Sequence, residues 1–317
     1  MKTLVRKNIF YKSALDDQTT GAKIDKMFGD RGVFGGGYIP PSPIQKNTID
    51  YITISTPGNA TDFGDLTQAR YDLAATSDGS RGVFGGGVDP GPYYNTIDYI
   101  TISTPGNATD FGDLTQIRQA LAATSDGSRG VFGGGIGPIV NIIDYITIAT
   151  PGNATDFGDL TEPQSSLAAT SDGSRGVFGG GYSPTLNVID YITYITISTP
   201  GNAIDYSDLT EARTDLNATS DGSRGVFGGG WNDSAYVNTL DYITIATPGN
   251  ATDFGDLTVT GYRNSSTSDG NRGVFGGVFG AGDANTLDYI TIATPGNATD
   301  FGDLTQGRHY LAATSGD

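Results

Sequence analysis

The phrase Thr-Asp-Phe-Gly-Asp sets two carboxylates three residues apart, first at Asp62 and Asp65. Such a pair could supply the acid and the base of glycoside hydrolysis, which needs one protonated and one ionised carboxyl group flanking the scissile bond. The phrase recurs along the whole chain, with Asp205-Tyr206-Ser207-Asp208 as a looser copy. An active site is normally singular and differentiated, so a pair repeated this often reads as scaffold. Other catalytic chemistry finds less support. There is one histidine, His309, and no cysteine. A histidine-based metal cluster and a thiolate nucleophile are therefore excluded, and no Ser-His-Asp set is evident. Hard oxygen ligands near the Asp-rich turns would suit Ca²⁺, yet no Asp-x-Asp-x-Asp-Gly loop is present. The expectation is a protein that is not an enzyme, with no catalytic residue, no metal site and no cofactor.

The elements that carry these residues are themselves repeated. Arg-Gly-Val-Phe-Gly-Gly begins at Arg31, Arg81, Arg129, Arg175, Arg224 and Arg272. Each copy runs into Asp-Tyr-Ile-Thr, at Asp50, Asp98, Asp144, Asp190, Asp241 and Asp288, then Thr-Pro-Gly-Asn-Ala, then the Asp-Phe-Gly-Asp phrase. Four strands are expected per copy, taken in the order a to d. Strand a is Leu73–Ser77, ended by the hairpin signal Asp78-Gly79. Strand b is Arg81–Gly86. Strand c is Thr48–Ser55, rich in β-branched and aromatic residues, and strand d is Thr61–Leu66. In strand c, Ile49 and Tyr51 point one way while Ile52 and Ile54 point the other, so both faces of each small sheet need cover. Six sheets arranged radially provide it.

The chain closes with Leu311-Ala-Ala-Thr-Ser, a strand a with no strand b after it, and opens its repeats at Arg31 with a strand b lacking a strand a. Joined, the two complete a sixth blade. The expected fold is all-β: a six-bladed β-propeller over residues 31–317, closed by the C-terminal strand and preceded by a non-repeat segment, residues 1–30. The order Leu-Ala-Ala-Thr-Ser-Asp-Gly, Val-Phe-Gly-Gly, a Tyr strand and an aromatic strand resembles the Kelch repeat, with the diglycine at Gly35-Gly36 carrying most of the match. Phe63, Phe111, Phe157, Tyr206, Phe254 and Phe301 stand where Kelch units usually carry Trp. The repeat wording is also similar to that of virion proteins of tailed marine bacteriophages, which implies a component of a tail, fibre or particle surface. The Ser-x-Asp-x-Gly-x-Thr-Trp signature of sialidase propellers does not occur.

Strands that alternate in direction put the a–b and c–d loops on one face and the b–c and d–a loops on the other. The first set is nearly invariant, reading Ser-Asp-Gly-Ser and Thr-Pro-Gly-Asn-Ala. The second set differs from copy to copy and collects the unusual side chains. Loops on a rigid scaffold are where binding residues concentrate, and Tyr, Trp and Arg offer large contact area with a polar handle. The expected ligand-binding residues are Tyr38, Tyr93, Tyr94, Tyr182, Trp231, Tyr236, Arg70, Arg118, Arg213, His309 and Tyr310.

Net charge is −17, which opposes binding to nucleic acid or to anionic membranes. No apolar run is long enough to insert into a bilayer. The basic residues of the first segment, Lys2 to Lys26, suit a tether to a larger assembly. The expected partners are virion proteins or a host-surface glycan, and the expected location is the virion. The alternative is a lectin or scaffold propeller on a bacterial cell surface.

Overall fold

The computed structural model describes residues 28–39, 44–280 and 285–317. The tether expected over residues 1–30 falls almost wholly outside the described residues.

Six four-stranded antiparallel sheets surround a central axis, each in the order a-b-c-d from the inside out. Blade 1 is assembled from both ends of the repeat region. Its strand a is Ala312–Gly316, and its strands b, c and d are Arg31–Gly35, Thr48–Thr53 and Thr61–Asp65. Blade 2 is continuous: Ala74–Ser77, Arg81–Gly85, Thr96–Thr101 and Thr109–Asp113. Blades 3 to 6 begin at Ala122, Ala168, Asn217 and Ser265. Closure by the C-terminal strand is as expected, with Val33 opposite Thr314.

Each hydrophobic core lies between two blades. Val33, Ile49 and Tyr51 pack with Phe84 and Ile100 of blade 2, whereas Phe34, Ile52 and Ile54 pack with Val274 and Phe301 of blade 6. The alternation along strand c therefore feeds two different interfaces. Gly35 shows why strand b cannot carry a side chain there: a Cβ would stand 2.7 Å from the Phe84 ring. Gly36 turns the chain out of the strand at a φ of 73°, a conformation glycine adopts without steric cost.

The invariant phrases knit neighbouring blades. Arg31 lies over the Tyr51 ring at 4.8 Å and donates to the Ile102 carbonyl of the next blade at 2.7 Å. Asn107, in the c–d turn of blade 2, accepts the Asp65 N–H of blade 1 at 3.1 Å. Asp78 accepts the N–H groups of Ser80 and Arg81 and shapes the a–b turn. Such contacts recur around the ring, which gives a physical reason for the repeated wording.

Blade 4 corrects one alignment. Phe178 pairs with Thr193, not with Asp190, so Tyr191-Ile-Thr is an insertion and the second Tyr-Ile-Thr, from Tyr194, forms the core of strand c. Blade 5 corrects another. Strand b continues to Trp231 and strand c begins at Tyr236, with these two residues paired. The b–c connection here is therefore a hairpin arm rather than a loop, turned by Asn232 Oδ1 accepting the Ala235 N–H at 2.9 Å.

Candidate functional site: the variable face and its axial mouth

The d–a connections reach the axis just before strand a. At this point each blade places a residue in the left-handed region: Asp72, Ala120, Ser166, Asp215, Arg263 and Tyr310, with φ between 53° and 63°. Their backbones form a closed ring. The N–H of each donates to the carbonyl of its counterpart one blade back, at 2.8 to 3.2 Å. Glycine would be the unstrained choice, since left-handed backbone carries a steric cost for other L-residues. Here all six positions carry side chains, of five different types.

These residues line a mouth of about 60 Å³ on the axis. The volume is well below the several hundred Å³ typical of small-molecule pockets. Arg263 sits 3.8 Å from the Tyr310 ring centroid and 4.5 Å from that of Tyr262, and pairs with Asp215 at 3.5 Å. Burial pushes the Asp72 carboxyl well above the usual range, Asp215 repels its charge further, and Arg263 only partly offsets both. Burial also raises Asp215, again against the pull of Arg263. Below the mouth the channel is lined mainly by the alanines of strands a, with Asn217 and Ser266 breaking the pattern on one side.

An aromatic arc flanks the mouth. Trp231 meets Tyr236 at 5.0 Å between ring centroids, and Tyr236 stacks on Tyr262 at 4.8 Å. Tyr262 meets Phe279 at 5.3 Å, Phe279 meets His309 at 4.7 Å, and His309 meets Tyr38 at 4.1 Å. Tyr38 contacts both Tyr310 and Tyr71 at 5.2 Å. The arc covers blades 5, 6 and 1 and reaches the edge of blade 2. The fold does not impose this asymmetry. Where blade 1 pairs Tyr38 with His309, the corresponding bridge in blade 3 is Ile136 with Gln119.

The structure thus brings together Tyr38, Trp231, Tyr236, His309 and Tyr310 among the expected residues, and leaves Tyr93, Tyr94 and Tyr182 on other sectors. Tyr236 and Tyr182 are exposed, at 38% and 37%. His309 is fully buried, and burial and Arg263 lower its pKa to about 4. It is a neutral packing residue inside the arc. Tyr310 is also largely buried.

The arginines are corrected outright. Arg70, Arg118 and Arg213 are wholly buried, and pair across blade interfaces with Asp98, Asp144 and Asp241. Arg308 does the same with Asp50. Burial lowers each guanidinium pKa and the facing carboxylate pulls it back. These residues latch blades and present nothing to a ligand. The sequence reading missed Asp72, Asp215, Arg263 and Phe279. Aligning the d–a connections by their distance from strand a would have shown the first three as one position filled by five residue types.

No protein-family model matches the chain, and no curated protein does. The Kelch likeness is one of repeat pattern, and the six-bladed propeller is what the structure shows.

Proposed function

We propose that this propeller is a non-enzymatic recognition module whose variable face binds a surface glycan or a partner protein, displayed on a virion or a comparable particle. The observation that carries the reading is the aromatic arc from Trp231 to Tyr71. It occupies one half of one face; in the other half blades 2 and 3 carry Val88 and Ile136 at the position of Tyr38, and Tyr182 of blade 4 faces Ser165. Half-exposed, mutually braced Tyr and Trp rings offer contact area that is already ordered, so little entropy is lost on binding. The orientation suits display. The chain enters the propeller on the opposite, invariant face, where Asp30 bonds to Asp317 and Ser55. A tether through residues 1–30 therefore leaves the arc pointing away from the attachment.

The test is a glycan array and a pull-down with particle proteins, each run with the full chain and with the Trp231→Ala and Tyr236→Ala variants. Binding that falls at least tenfold in both variants while the melting temperature holds supports the reading. Binding that neither variant weakens sinks it.

A further inference from the structure

Four of the six blade interfaces carry the buried latch. Between blades 2 and 3, Asp144 accepts the Thr115 N–H at 3.1 Å, the Thr115 hydroxyl at 2.6 Å and the Arg118 guanidinium at 2.7 Å. Between blades 3 and 4 both charges are gone. Thr193 stands in the place of the aspartate and Gln164 in that of the arginine, while Thr161 keeps the place of Thr115. A crevice of about 310 Å³ opens there, lined by Thr161, Glu162, Tyr191, Thr193 and Asp205.

The crevice is unsatisfied in a specific way. Thr193 and Gln164 are each 2% exposed, and Thr193 Oγ1 and Gln164 Nε2 have no hydrogen-bond partner. Thr161 has lost the carboxylate that its counterparts donate to. Of these, Thr161 and Thr193 line the crevice, and their hydroxyls can both donate and accept. Around them stand two carboxylates, Glu162 and Asp205, which only accept when ionised. Glu162 already receives the Ser183 hydroxyl at 2.9 Å and the Thr185 hydroxyl at 3.3 Å. Tyr191, supplied by the three-residue insertion, is 38% exposed at the opening.

We infer that this crevice is a subsite for a neutral hexopyranose. A guanidinium or ammonium only donates, and would leave the buried Thr193 hydroxyl proton without an acceptor. A carboxylate or phosphate only accepts, and would face Glu162 and Asp205 in a strongly acidic chain. A sugar hydroxyl donates and accepts at once, so a ring bearing several can meet both sets, with its apolar face on Tyr191. The volume falls in the range of small-molecule pockets, which the axial mouth does not. None of the arc residues lines the crevice, so the inference stands or falls separately from the reading of the variable face.

The experiment is saturation-transfer NMR on the full chain with the methyl glycosides of glucose, galactose, mannose and N-acetylglucosamine. Agmatine and acetate serve as donor-only and acceptor-only probes. At least one glycoside is expected to receive transfer, and Tyr191→Ala and Glu162→Gln to weaken it at least tenfold. The double variant Gln164→Arg/Thr193→Asp rebuilds the latch and is expected to abolish transfer while melting no lower than the parent. Trp231→Ala should change nothing. Absence of transfer from every glycoside, transfer indifferent to the rebuilt latch, or displacement of the sugar by agmatine or acetate overturns the assignment. If the double variant melts early, Tyr191→Ala, an exposed position, decides alone.

Discussion

The backbone N–H of Asp72 donates to the carbonyl of Tyr310 at 2.9 Å, joining the second blade to the last d–a connection of the chain. It is the link that turns a row of blades into a ring. Beside it, the last strand pairs with Arg31–Gly35 along five residues, and Ser77 donates to the Ser315 carbonyl at 2.6 Å.

Removing residues 311–317 takes away the partner strand and exposes the inner edge of Arg31–Gly35, an open template for pairing with another chain. The truncated protein is expected to melt several degrees lower, since a loss of a few kcal/mol shifts a domain of this size by about that much, and to aggregate. Calorimetry and light scattering check this. A melting curve that coincides with that of the full chain would show that the ring does not depend on this strand.

The buried latch gives a second expectation. Arg118→Gln leaves the Asp144 carboxyl buried without its cation, at a cost of about 3–5 kcal/mol. Adding Asp144→Thr should recover most of that loss, because Gln164 and Thr193 show that the ring accommodates the neutral pair. Urea unfolding of the two single variants and the double forms the cycle. A double variant no more stable than Arg118→Gln contradicts the account.

Acid sensitivity follows from His309. Its folded pKa, about 4, lies below the unfolded value of about 6.5. As pH falls, the unfolded chain therefore takes up the proton first. The stabilisation from neutral His309 is full above pH 6.5 and is lost as pH falls toward 4. Replacing His309 by Phe, which suits the aromatic surroundings, should flatten the stability profile over that window. If both proteins lose stability in parallel between pH 6.5 and 4, the histidine is not the group responsible.

Core and arc should separate cleanly. Phe34 is fully buried between blades, and its truncation to Ala is expected to cost about 3–5 kcal/mol. Trp231 sits on a hairpin arm and is only half-buried, so Trp231→Ala should cost about 1 kcal/mol or less. Chemical denaturation of the two variants measures the difference. Equal losses would mean that the arc is part of the folding core.

Asp190 and Arg70 show where reading the chain alone falls short. Asp190 opens a faultless Asp-Tyr-Ile-Thr, yet the strand is built from the copy three residues later. Tyr-Ile-Thr repeated with a period of three looks the same in either register, and only the fixed distance to the Thr-Pro-Gly-Asn turn chooses between them. Arg70 lies in a variable connection among polar neighbours, which suggests a surface. The connection in fact dips between blades, where Asp98 and the Phe84 carbonyl receive the guanidinium.

The sequence by itself determined the blade count, the closing strand and the division into an invariant and a variable face. Each repeat unit meets nearly the same neighbours, so identical contacts demand identical words, and six copies of one phrase spell out one geometry six times. Only the tertiary structure decided which variable residues meet. Trp231, Phe279, His309 and Tyr71 belong to different repeats and are joined through a chain of ring contacts, whose link from His309 to Tyr38 exists because the ring closes. The axial mouth joins six left-handed residues that no local pattern connects, and the crevice at Thr193 exists only where one blade faces the next. Contacts between repeats depend on the angle and spacing that closure imposes, and those belong to the whole ring.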